Sequence, residues 1–143
     1  MTMQQVKMAG LACLIAITVL GAGYLWGARG RWAAQDRLAV VERQAALSET
    51  RRLTLSGQMA LTRLNFGEAA GLFESARAGA DAAAKSLEQD GLQEAAGQAA
   101  NAAQALTEAR GLAAKLDQAS AGKAGEALQL LDRAATAVGT AGR

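Results

Sequence analysis

Between Met8 and Gly27 the sequence runs for 20 residues without a charged side chain. A helix rises about 1.5 Å per residue, so this run makes about 30 Å of helix, the thickness of a bilayer's hydrocarbon core. A chain this short could hardly surround such a rod on all sides with a core of its own. The run therefore predicts a single transmembrane helix over about 8–27, within an N-terminal anchor of residues 1–28. Its flanks agree. Lys7 precedes it, Tyr24, Trp26 and Trp32 stand where an interfacial aromatic belt would lie, and Arg29, Arg31 and Arg37 follow at headgroup depth.

A cleaved signal peptide is the rival reading, with Lys7 as basic region, LACLIAITVL as apolar region and Gly21-Ala22-Gly23 as small residues for a peptidase. The apolar character continues through Tyr24, Leu25 and Trp26, which favours an uncleaved anchor. A lipoprotein signal does not fit, because Cys13 comes too early in the apolar run. The expected location is a single-pass protein of a bacterial inner membrane. Two arguments on its orientation conflict. Arg29, Arg31, Arg37 and Arg43 outnumber Lys7 and draw the following domain to the cytoplasm. The signal-like design of the first 23 residues leans slightly to the periplasmic side.

Beyond the anchor, composition narrows the fold to all-α. Alanine occurs 37 times and proline never, while strand-forming aromatic residues number five. The chain has no histidine, which removes the commonest general base and metal ligand. Cys13 is the only cysteine, so no internal disulfide or thiolate zinc site can form. The serines lack a histidine to activate them, and carboxylate pairs such as Glu126 and Asp132 stand six apart, off a common helix face. These absences predict a non-enzymatic protein with no catalytic, cofactor or metal residues, and no small-molecule substrate.

Charge divides the remainder. Residues 29–65 hold seven basic against three acidic residues, whereas residues 66–119 hold four against eight. A basic collar beside anionic headgroups and an ordinary solvated surface are equally consistent with this split. The basic residues lack the clustering and aromatic partners expected of a nucleic-acid site.

Apolar spacing traces the helices. Ala69, Phe73, Ala76, Ala80, Ala83 and Leu87 recur in steps of four and three, behind an Asn65…Glu68 start signal, and predict a helix over about 66–89. Leu92, Ala95, Ala99, Ala102, Leu106, Ala109, Ala113 and Leu116 predict another over about 91–118, with Asp90 and Gln93 as its cap pattern. Ala124, Ala127, Leu131, Ala134 and Val138 predict a third over about 123–139, after a break at Ser120–Gly122. Upstream, residues 29–64 read as a long basic helix continuing the anchor, with a clean stripe only at Leu53, Gly57, Ala60 and Leu64. From Arg31 to Thr50 no single wide apolar face emerges. Leu38, Val40, Val41 and Leu47 there point to a partner, either another membrane subunit or a second copy. Seams so rich in alanine predict close helix packing with little area buried per residue.

GEAAGLFESA at 67–76 is echoed by GEALQLLDRA at 125–134. The first copy, extended to LNFGEAAGLFESA, resembles the second helix of a tetratricopeptide repeat in the spacing of Ala69, Phe73 and Ala76. Leu53 and Gly57 then fall where that repeat's first helix carries a large apolar residue and a glycine. The resemblance spans residues 50–81 and implies a surface for binding peptides or proteins. It departs in having Asp81 where the repeat ends on proline, an echo offset of 58, and a long intervening helix.

The expected architecture is thus an anchor helix running into a long helix, then an antiparallel alanine-rich bundle over 65–143, about four helices in all, tetratricopeptide-like or closed. The expected role is a membrane-anchored adaptor or accessory subunit of a larger assembly. A membrane-tethered peptide-binding module and a self-oligomerising element are the alternatives.

Overall fold

The computed structural model describes residues 38–141. The expected membrane span and the expected interfacial residues Tyr24, Trp26, Arg29, Arg31, Trp32 and Arg37 lie outside them. Among the described residues the fold is all-helical, and no helix is long and apolar enough to cross a membrane.

Among the described residues four helices follow one another: α1 over 38–62, α2 over Phe66–Gln89, α3 over Gln93–Ala114 and α4 over Ser120–Ala141. Connections this short force each helix back alongside its predecessor. α3 packs against both α2 and α4. Glu74 of α2 meets Arg110 of α3 at 3.3 Å, and Glu108 of α3 meets Lys123 of α4 at 2.8 Å. α1 closes the ring. It lies against α2, where Gly57 faces Phe73, Gly79 faces Thr50, and Arg43 binds Asp90 at 2.7 Å. It also lies against α4, where Gln44 sits by Gly139, Arg51 pairs with Asp132 at 2.9 Å, and Gln58 sits by Gly125. Each step of seven along α1 meets a step of seven back along α4, the register of antiparallel helices with heptad seams.

The seams explain the packing. α2 buries Ala69, Phe73, Ala76, Ala80, Ala83 and Leu87, and α4 buries Ala124, Ala127, Leu131, Ala134 and Val138, as the sequence spacing predicts. α3, with a neighbour on each side, adds Ala96, Ala103 and Ala105 to its expected line. Of the 23 buried apolar residues among those described, 16 are alanine. Small side chains let backbones approach, and two positions of α1 and α2 require even less. A Cβ on Gly57 would stand 2.5 Å from the Phe73 ring, and one on Gly79 would stand 2.6 Å from the Thr50 hydroxyl.

The structure corrects several expectations. α3 ends at Ala114 rather than 118, because Leu116 takes a left-handed φ of 59° and reverses the chain. α4 starts at Ser120, not 123, and Ser120 is buried, its hydroxyl donating to the Ala109 carbonyl at 2.7 Å. The expected Asp90…Gln93 cap of α3 is absent. Leu92 occupies the cap position without a side-chain bond, and Asp90 ends α2 and holds Arg43. The Asn65…Glu68 signal does form a cap, with Asn65 accepting from the Glu68 amide at 3.3 Å. A tetratricopeptide array stacks helix pairs in an open superhelix, whereas α1 here packs on α4 and shuts the bundle.

Within α1 the inward line is Leu47, Thr50, Thr54, Gly57 and Leu61. Two threonines sit on it because each hydroxyl donates to the carbonyl four residues earlier, at 3.0 and 2.9 Å, so neither is buried unpaired. Of the expected stripe, Gly57 and Ala60 are buried, Leu53 is half-buried, and Leu64 lies beyond the helix in solvent.

Candidate interaction surfaces

Six large apolar side chains are exposed among the described residues: Leu38, Val41, Leu55, Met59, Leu64 and Leu116. Exposed large apolar groups that align on one face mark contact surfaces more often than scattered ones do. Here they fall into two groups, an outer line on α1 and a pair of turns.

The outer line carries four of the six. Val41, Ala45, Ser48, Arg52, Leu55 and Met59 follow steps of four and three along α1, and Leu38 precedes Val41 by three. All of these residues are exposed, on the side of the helix turned away from α2 and α4. The spacing is the same heptad rhythm that seals the interior. The line has one charge, Arg52, and that charge is held on its own helix by Glu49, through bonds of 2.8 and 2.6 Å. The hydrogen bond from Arg52 lowers the Glu49 carboxyl below its ordinary value.

The second group lies at the end of the bundle where α1 passes to α2 and α3 to α4. Among the described residues three chain reversals share one geometry, in which the residue after the helix's C-cap is left-handed and two backbone bonds close the turn. At Gly91, φ is 76°, the Gly91 amide donates to Glu88 and that of Leu92 to Leu87. At Leu64, φ is 57°, with bonds from Leu64 to Leu61 and from Asn65 to Ala60. At Leu116, φ is 59°, with bonds from Leu116 to Ala113 and from Asp117 to Leu112. Glycine adopts this conformation freely, whereas a side chain there costs about 1–2 kcal/mol. Both leucines are also more than two-thirds exposed. Leu64 borders an open cleft of about 610 Å³ with Leu61, Phe66 and Gln118.

The residues expected to contact a partner separate. Leu38 and Val41 are 59% exposed and stand on the outer line. Leu47 is 2% exposed, inside the protein's own core, and is removed from any partner. Val40 is half-buried and packs against that core. Leu55, Met59, Leu64 and Leu116 were not among the expected contacts. Leu55 and Met59 continue the spacing from Leu38 and Val41, a signal present in the sequence. For Leu64 and Leu116 no such signal exists, since both lie at seam spacing and read as core.

No protein-family model, curated protein or solved structure matches the chain. Polar clusters on the surface make ordinary ion pairs. Lys123 bridges Glu108 at 2.8 Å and Glu126 at 3.1 Å, and Arg77 joins Glu74 and Asp81. Among the described residues no three acidic or other metal-binding side chains converge.

Proposed function

We propose that this protein is a membrane-anchored helical adaptor, an accessory subunit that joins a larger membrane assembly through exposed apolar lines on its bundle. The observation that carries this reading is the outer line of α1, where Leu38, Val41, Leu55 and Met59 share one helical face in water. Leaving so much apolar surface uncovered is unfavourable by roughly 25 cal/mol per Å². The uncharged run of residues 8–27 supports the anchor, and the lack of histidine and reactive cysteine in the bundle supports a role without catalysis. On this reading the bilayer and other subunits are the partners, and the protein sits in a bacterial inner membrane with the side of its bundle open. The ring closure of α1 on α4 disfavours the peptide-binding alternative, which calls for a concave surface. Self-association remains compatible with the outer line.

The test is extraction of the intact chain from membranes. The chain should stay with the membrane after an alkaline wash and, in mild detergent, migrate with other proteins. A polypeptide found free in solution with a new N-terminus close to Tyr24 overturns the anchor. Migration as an isolated 14.6 kDa chain overturns the assembly role.

A further inference from the structure

We infer that the outer line of α1 is covered by the α1 of a second copy of this chain, running parallel and in register. The inference rests on the reading of that line as a contact surface and names its partner.

The spacing specifies the kind of occupant. A helix packing on Val41, Ala45, Ser48, Arg52, Leu55 and Met59 meets a strict alternation of four and three, which only another helix at coiled-coil geometry can follow for its whole length. Large residues cluster at both ends of the line and the small or polar Ala45, Ser48 and Arg52 at its middle. A polar residue at one such layer fixes register at some cost in stability.

Charge permits the parallel direction, and the tether selects it. In a parallel, in-register pair the flanking positions five apart face each other across the seam, bringing Gln44 to Glu49, Arg51 to Ser56 and Gln58 to Arg63. None of these pairs is of like charge. An antiparallel pair with full overlap sets Glu49 against Glu49 and Arg51 against Arg51 at its centre, each offset within its own chain by Arg52 and Asp132. Stacked Arg52 side chains in the parallel pair are each offset by their own Glu49, and Arg51 is drawn aside to Asp132 of its own α4. The direction comes from the chain outside the described residues. Residues 1–37 enter α1 at its start and include the uncharged run, so copies tethered in one bilayer present α1 in the same direction at high local concentration.

The test is thiol cross-linking of the full chain in membranes, in a Cys13→Ser background, with the washed and soluble fractions both examined. Ser48→Cys alone and Arg52→Cys alone should each form a covalent homodimer, because each residue faces itself. Ser75→Cys, exposed on α2, should not. Adding Leu55→Glu should abolish the dimer while leaving the helical circular-dichroism signal. A dimer that forms only when Ser48→Cys and Arg52→Cys chains are mixed overturns the parallel arrangement. Monomer at every position, or cross-linking only to another protein, overturns the second copy as occupant. A chain that cross-links as expected but leaves the membrane in the alkaline wash overturns the anchor and leaves the dimer standing.

Discussion

α1 carries two lines of side chains with identical spacing and opposite fates. The inward one, Leu47, Thr50, Thr54, Gly57 and Leu61, holds two hydroxyls and a glycine yet is sealed in the core. The outward one, Val41, Ala45, Leu55 and Met59 among others, has comparable apolar bulk yet stands in water. Hydrophobicity alone therefore does not select the buried side of this helix. Shape does. Phe73 needs a gap of glycine size opposite it, and Thr50 and Thr54 satisfy their hydroxyls within the helix, so the narrower line enters the bundle.

Leucine truncation on the two lines is the strongest way to break this contrast. Leu47→Ala should lower the unfolding free energy by about 2–5 kcal/mol, while Leu55→Ala, a surface change, should move it by less than about 0.5 kcal/mol. Both are read by denaturant titration of dilute protein, and equal losses would erase the distinction. Gly57→Ala forces a methyl against the Phe73 ring and should cost about 1–3 kcal/mol. Gly71→Ala, with open space around it, should instead gain up to about 1 kcal/mol as a better helix former. Their opposite shifts in thermal midpoint would confirm that close approach, not helix propensity, governs the inward line.

A smaller effect sharpens the outward side. Leu64→Gly relieves a left-handed leucine and should stabilise the chain by about 1 kcal/mol in thermal unfolding. If the leucine serves contact, the same substitution weakens recovery of partners from detergent extracts. The least effect concerns Glu49, whose carboxyl is held low by the hydrogen bond from Arg52. A lowered folded value means that its contribution is present above the ordinary glutamate pKa and is lost as pH falls through the folded one. The thermal midpoint should therefore decline slightly in acid, and Glu49→Gln should flatten that part of the profile.

Much of the bundle is legible in the sequence. The lines of α2 and α4 can be read residue by residue from spacing, because alanine, leucine and phenylalanine there alternate with charged neighbours. α1 resists the same reading for a physical reason. Two narrow lines on opposite sides sum to no single wide face, and Thr50 and Thr54 do not register as core while their hydroxyl bonds are unseen. Leu47 thus looks like a partner contact, although it is the anchor of the inward line. The turns mislead in the opposite way. Leu64 and Leu116 continue apolar seams in sequence, but each is itself the left-handed residue of its turn, so the chain leaves the helix at the seam position. The outward line, by contrast, is visible from Leu38 to Met59 once the inward one is subtracted.

An even number of antiparallel helices returns the chain to the level at which it set out. Gln44, near the start of α1, lies beside Gly139, near the end of α4. A fluorescent label near the end of α4 would therefore report from beside the start of α1. A label placed between α1 and α2, or between α3 and α4, would report from the far pole instead.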